Sequence, residues 1–267
     1  MRPTRRHVLG TGLACLLAPP VARAAERPRR LARRRTRHGV LEVVELPDGQ
    51  RRLLEDGQVH SAYHPGDPLA LPFDYLQLLA VGLRATAPVS GRVLVVGLGG
   101  GTLCRWIGHT LPGLERVAVE HARPVHRLAR RFFDLDPGIE VHIDDGRRYV
   151  EAHDDFDVIV LDASSEDYVP PHLATVEFFA QCRAPVVLMN SWHGAPRADD
   201  EWTTWCAAFE PSHMLRHPHP SQDNRVLLGG PGVPQTLDAR IADAAAAQAT
   251  EVTAERPVPR GVIVRDP

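Results

Sequence analysis

Between Arg92 and Leu103 the chain reads Arg-Val-Leu-Val-Val-Gly-Leu-Gly-Gly-Gly-Thr-Leu, an apolar β-type run that breaks into glycines where a helix should begin. Val93 to Val96 have the continuous hydrophobicity of a parallel strand buried on both faces. Gly97, Gly99, Gly100 and Gly101 allow a tight turn and leave no Cβ between the backbone and a ligand. The helix is expected to start near Thr102, so the segment predicts a nucleotide-binding strand-turn-helix.

Three further strand-like segments support that assignment. A second strand, Glu115 to Glu120, ends in a carboxylate about twenty positions after the glycines, where Rossmann-like folds receive ribose hydroxyls. A third, Ile139 to Ile143, runs into Asp144-Asp145-Gly146, and a fourth, Phe156 to Leu161, runs into Asp162. One acidic strand end alone is accounted for by a helix N-cap, whereas three in succession beside a glycine turn suggest a ligand crevice. The expected fold class is α/β: a Rossmann-like, doubly wound, mostly parallel seven-stranded sheet. A small N-terminal β hairpin over Val40 to Leu54 precedes it, with Pro47-Asp-Gly49 as its turn.

These residues resemble the class I S-adenosylmethionine-dependent transferases, and more narrowly the spermidine synthase-like, or polyamine aminopropyltransferase-like, family. The resemblance covers roughly Gly57 to Phe179 and continues weakly to Leu228. It rests on the glycine turn, Val119-Glu120, Asp145-Gly146-Arg147, Phe156 to Asp162, and Val169-Pro-Pro-His-Leu-Ala-Thr-Val-Glu-Phe-Phe179. The last segment is the most specific, because generic methyltransferases rarely carry it. The resemblance implies that Gly97, Gly99, Gly101, Glu120, Asp145 and Gly146 bind a sulfonium nucleoside, decarboxylated S-adenosylmethionine or S-adenosylmethionine, used as co-substrate without metal. It also implies Asp162 as the catalytic carboxylate, with Tyr75 and Tyr168 lining the channel for a small-molecule polyamine. For Asp162 the competing reading is a cap on the following turn, and for Tyr168 a surface loop residue. A small-molecule methyltransferase, or a non-catalytic exported protein binding polyamine or nucleoside, are the alternative functions.

The chain departs from the family at several of these positions. An aspartate common in the family's glycine turn is replaced by Gly100, and a second aspartate after the fourth strand falls on Ser165. Glu166 and Asp167 stand close enough to compensate. The family's Tyr-His-Glu is Tyr75-Leu-Gln77, and a glutamine expected after Asp56-Gly57 is His60.

At the N-terminus, Thr4-Arg5-Arg6-His7-Val8-Leu9-Gly10 resembles a twin-arginine motif; an apolar stretch and Ala22-Arg23-Ala24 come after it. These features predict a signal peptide over 1–24 and a periplasmic or secreted protein, with a cytoplasmic location as the alternative. The stretch is too short for a stable membrane anchor. Residues 25–39, rich in arginine from Arg29 to Arg37, are expected to be a basic linker, 40–66 the N-terminal β unit, 67–250 the transferase domain and 251–267 a loose tail.

A chain of 267 residues, 43% hydrophobic, can bury one substantial α/β core. All 31 basic residues are arginine, and the net charge of -2 gives no argument for nucleic acid as a partner. Cys104, Cys182 and Cys206 lack Cys-x-x-Cys spacing and read as small core residues. His213, His217 and His219 stand close together without a matching carboxylate or cysteine pattern, so no metal site is expected. A homodimer stays open.

Overall fold

A computed structural model describes residues 27–37, 39–164, 169–219 and 223–267. The signal-peptide expectation, Tyr168, Ser165, Glu166 and Asp167 lie outside the described residues.

The chain first builds a four-stranded antiparallel sheet: β1 (Arg29–Arg35), β2 (Val40–Glu45), β3 (Arg51–Glu55) and β4 (Gln58–Tyr63), in that order. The expected hairpin is its β2–β3 centre, turning at Asp48–Gly49. The basic linker is instead the strand β1, paired along β2 from Arg29 opposite Glu45 to Arg35 opposite Val40. Its charge is partly offset by its partner strand, because Arg29 meets Glu45 at 2.8 Å and Arg30 meets Glu42 at 3.1 Å.

The remaining elements are α1 (Asp74–Thr86), β5 (Gly91–Val96), α2 (Thr102–Thr110), β6 (Leu114–Val119), α3 (Arg123–Phe132), β7 (Ile139–His142), α4 (Gly146–Ala152) and β8 (Val158–Leu161). Beyond them come α5 (Val176–Phe179), β9 (Val186–Trp192), α6 (Ala198–Ala208), β10 (Ser212–Arg216), β11 (Asn224–Gly229), α7 (Asp238–Gln248) and β12 (Thr253–Glu255). The second sheet has the order β12-β10-β11-β9-β8-β5-β6-β7, parallel from β9 to β7 and antiparallel over β9, β11, β10 and β12. The doubly wound expectation holds, with one strand more than the seven foreseen.

Side chains of β5 alternate between the two faces, as the two-residue period of a strand requires. Val93 and Val95 join a core with residues of α1, α2 and α7, while Leu94 and Val96 join the opposite core with Tyr149 of α4, Phe178 of α5 and Trp205 of α6. A third core, with Leu41, Val43, Leu53, Leu128 and Phe133, glues the N-terminal sheet to α3.

The eighth strand comes from the segment expected to be a loose tail. β12 pairs with β10, and the chain beyond it straps across α6 and α5. The indole N–H of Trp202 donates to the Pro257 carbonyl at 2.9 Å, Val264 N donates to Thr204 Oγ1 at 2.8 Å, and Arg147 grips both carboxylate oxygens of Asp266 at 2.6 and 2.5 Å. Among the described residues no helix is long and apolar enough to cross a membrane.

Candidate active site

The strand order reverses between β5 and β8, and a crevice opens there at the carboxyl ends of the strands, the position where doubly wound sheets take ligands. It is a cavity of about 1140 Å³, walled by the glycine turn, the ends of β6 and β8, the β3–β4 hairpin, and residues of α1, β9 and the C-terminal strap.

The glycine turn is shaped by close contacts. Gly97 has φ +104, and a Cβ there would run into the backbone carbonyl of Asp162. The turn and the end of β8 are therefore in backbone contact, which only glycine permits. Gly101, at φ +76, caps α2 in the left-handed region, and its carbonyl accepts from Arg105 N at 2.9 Å. The N-terminal sheet lies over this turn: Gly100 N donates to Ser61 Oγ at 3.0 Å and Thr102 Oγ1 donates to the Ala62 carbonyl at 2.9 Å.

These contacts explain the departure at Gly100. A Cβ there would stand 2.7 Å from the Phe133 ring and 2.9 Å from Ser61 Oγ. Phe133 is fully buried, so the ring has little room to yield. We predict that Gly100→Asp, which restores the family's residue, costs about 1–3 kcal/mol through overpacking. Thermal unfolding should show a Tm several degrees lower; an unchanged Tm would refute the close packing.

Glu120 is buried at the end of β6 and already oriented. One carboxylate oxygen accepts from Leu98 N at 3.3 Å and the other from Ala122 N at 2.8 Å. His121 lies 3.3 Å away, and the hydrogen bond to Glu120 holds the imidazole above its ordinary pKa. Asp145 caps α4, accepting from Arg148 N at 3.0 Å, and its second oxygen meets His172 Nε2 at 3.1 Å. Burial pushes the Asp145 carboxyl up, but the bonds from Arg148 N and His172 outweigh it and leave it below its usual range. Gly146 lets the start of α4 press against Val96, where a Cβ would clash.

Asp162 sits at the floor of the cavity, where protein crowds it on every side but the opening. Burial pushes its pKa up to about 7, against the opposing effect of the amide of Asn190. Asn190 Nδ2 donates to Asp162 Oδ1 at 2.9 Å, and Asn224 Nδ2 donates to Asn190 Oδ1 at 3.0 Å. A carboxyl group titrating near neutrality can take a proton from an ammonium group and release it again, which a carboxylate of ordinary pKa does poorly.

The structure thus brings Gly97, Gly99, Glu120, Asp145, Gly146, Asp162 and Tyr75 onto one cavity. Gly101 stands behind it at the start of α2, with its Cβ position filled by Leu135. Tyr75 stacks on Phe73, ring centres 5.7 Å apart and ring planes nearly parallel. Sequence reasoning missed Asn190, Asn224, Ser61 and the pairing of His172 with Asp145. The available signal for Asn190 was a polar residue closing the apolar run of β9. Among the described residues no group of three histidine, cysteine, aspartate or glutamate side chains is arranged to hold a metal ion. The three cysteines are free, and Cys104 and Cys182 are buried.

No family profile matches the chain. A polyamine aminopropyltransferase from Vibrio vulnificus is 29% identical over 167 residues, 58% of this chain and 55% of that protein, so the match spans about half of the relative's length. A polyamine aminopropyltransferase from Chromobacterium violaceum is 30% identical over 179 residues, 62% of this chain and 68% of the relative. A probable spermidine synthase from Corynebacterium glutamicum superposes with a TM-score of 0.71, covering 84% of this chain and 90% of its own at 22% identity. The likeness of fold, the relatives' identity and the carboxylates gathered round the glycine turn agree: the chain belongs to the polyamine aminopropyltransferase, or spermidine synthase-like, family.

Proposed function

We propose that this protein transfers an aminopropyl group from decarboxylated S-adenosylmethionine to a small polyamine. The observation that carries the reading is Asp162, a carboxyl group at the cavity floor, raised to about 7 by burial and in backbone contact with the glycine turn. In this reading Glu120 takes the ribose hydroxyls, Asp145 faces the base, and the glycine turn lets the donor lie against backbone. The reaction is an in-line displacement: the amine nitrogen attacks the carbon bonded to the sulfonium and the sulfur leaves with the bonding pair. Catalysis then consists of aligning donor and amine and removing a proton from the amine beforehand. Tyr75 on its Phe73 support offers a π face to a cationic acceptor. The relatives' names point the same way, because each is called a polyamine aminopropyltransferase.

Calorimetric titration of the full chain with decarboxylated S-adenosylmethionine, S-adenosylmethionine and methylthioadenosine tests the reading. The decarboxylated donor should bind at least about tenfold, or roughly 1.4 kcal/mol, more tightly than the intact one. Preference for the intact donor would replace aminopropyl transfer with methyl transfer, and no binding to any of the three would leave a fold without this chemistry.

A further inference from the structure

Facing the glycine turn, the β3–β4 hairpin brings a second set of proton-carrying groups to the same cavity. The ring of His60, on β4, lies between two neighbours: Nδ1 is 3.4 Å from Ser164 Oγ, and Nε2 is 3.8 Å from a carboxylate oxygen of Glu55 on β3. Asp56 and Gly57, both at positive φ, make the tight turn that sets Glu55 and His60 on one end of the hairpin. Ser164 lies two residues past Asp162 in the chain leaving β8, and all four residues line the cavity. Glu55 and His60 keep only about a quarter of their side-chain surface open. A carboxylate, an imidazole and a hydroxyl in series, the hydroxyl able both to donate and to accept, is an arrangement that moves protons.

The transfer reaction releases a proton that such a route can carry. The acceptor arrives as an ammonium ion and gives one proton to Asp162. Its freed lone pair forms the N–C bond, the C–S bond breaks, and the sulfonium becomes a neutral thioether. The new secondary amine keeps its remaining protons as an ammonium, so one proton per turnover stays on Asp162 and must reach solvent before the next cycle. We propose that Ser164 and His60 are the exit for that proton, with Glu55 stabilising the imidazolium that forms. The proton passes from Asp162 through the Ser164 hydroxyl to Nδ1 of His60 and leaves from Nε2 beside Glu55. His60 is a relay residue: it acts through Asp162 and not on the reacting carbon. This proposal rests on the transferase reading above.

Other titratable groups share the cavity wall. Glu120 and His121 stand at the end of β6, with Glu55 and Arg37 both acting on His121, and Asp145 and His172 stand at the other end. The test must therefore isolate His60. In the full-length protein, His60→Gln and Ser164→Ala should lower kcat at least about tenfold at neutral pH while nucleoside affinity stays within twofold, about 0.4 kcal/mol. In His60→Ala, added imidazole should restore rate in proportion to its concentration, which a merely structural role would not allow. The His60 ring signals, followed by NMR and assigned by their loss in His60→Gln, should move in both Ser164→Ala and Glu55→Gln, the two neighbours of the ring. Unchanged kcat in His60→Gln, or His60 ring signals blind to both substitutions, would overturn the relay. The NMR comparison needs no substrate, so it decides the linkage even if the wild-type protein transfers nothing, the result that would sink the transferase reading itself.

Discussion

Asp162→Asn is expected to lower transfer by about 10²–10⁴-fold, the range for losing a general acid–base group, while leaving the affinity for donor nucleoside nearly unchanged. The amide matches the carboxylate in shape, and its oxygen can still accept from Asn190 Nδ2, now at 2.9 Å from the carboxylate. What is lost is the capacity to take up a proton. The same variant should be more stable than the wild type at pH 8. A folded-state pKa of about 7, above the unfolded value, means that the native protein holds a proton that the unfolded chain has released. The wild type therefore loses stability as pH rises from about 4 to about 7, by on the order of 2–4 kcal/mol, and the asparagine variant does not. Thermal unfolding should show the variant ahead at pH 8 and level with the wild type near pH 4. A variant that loses nucleoside binding along with turnover, or that gains no stability at pH 8, would remove Asp162 from its proposed role.

The two parts of this site differ in how they were written into the sequence. The glycine turn, Glu120, Asp145 and Asp162 were legible because each lies just past a buried strand at a fixed offset, and the strand signal is local. α2 starts at Thr102, as the glycine turn before it predicted. β1 was not legible, because Arg29-Arg-Leu-Ala-Arg-Arg-Arg35 has almost no apolar alternation of its own. It is a strand because β2 offers it a ladder and the carboxylates of Glu42 and Glu45. The C-terminal strap is similar: its prolines suggested disorder, but Asp266 finds Arg147 across more than a hundred residues. α6 had no counterpart among the sequence-based expectations, although Asp199, Asp200 and Glu201 in its first turn suit the positive end of a helix dipole. Gly100 shows the limit of the family resemblance. Measured against relatives it reads as a missing carboxylate, and only the positions of Ser61 and Phe133 show that a side chain there would force its neighbours to shift.

Arg225→Met should destabilise the protein by about 3–5 kcal/mol, the cost of stripping the partner from a buried charge, with a Tm about 10 °C lower. Arg225 is 1% exposed on β11; its Nε donates to Ser191 Oγ at 3.0 Å, and an Nη donates to the Ala198 carbonyl at the start of α6. Ser191 Oγ in turn donates to Glu201 at 2.7 Å. Burial raises the Glu201 carboxyl and depresses the Arg225 guanidinium, while the Ser191 hydroxyl and Arg225 pull Glu201 back down and Glu201 pulls the guanidinium back up, so each ion helps to keep the other charged. In the single variant Glu201 keeps its burial and loses the stronger of the two cations that act on it, leaving Arg197. Its deficit should shrink as pH falls, because protonating Glu201 removes the unpaired charge. Adding Glu201→Gln should recover much of the loss, and a double variant as unstable as the sum of the two singles would refute the coupling. The site should feel the change as well. Asn224 precedes Arg225 on β11 and holds Asn190, which holds Asp162, so loosening β11 against α6 should lower kcat beyond any effect on nucleoside binding. If Arg225→Met lost stability and kept full kcat at a temperature where it is folded, Asp162 would owe its orientation to something other than this chain of side chains.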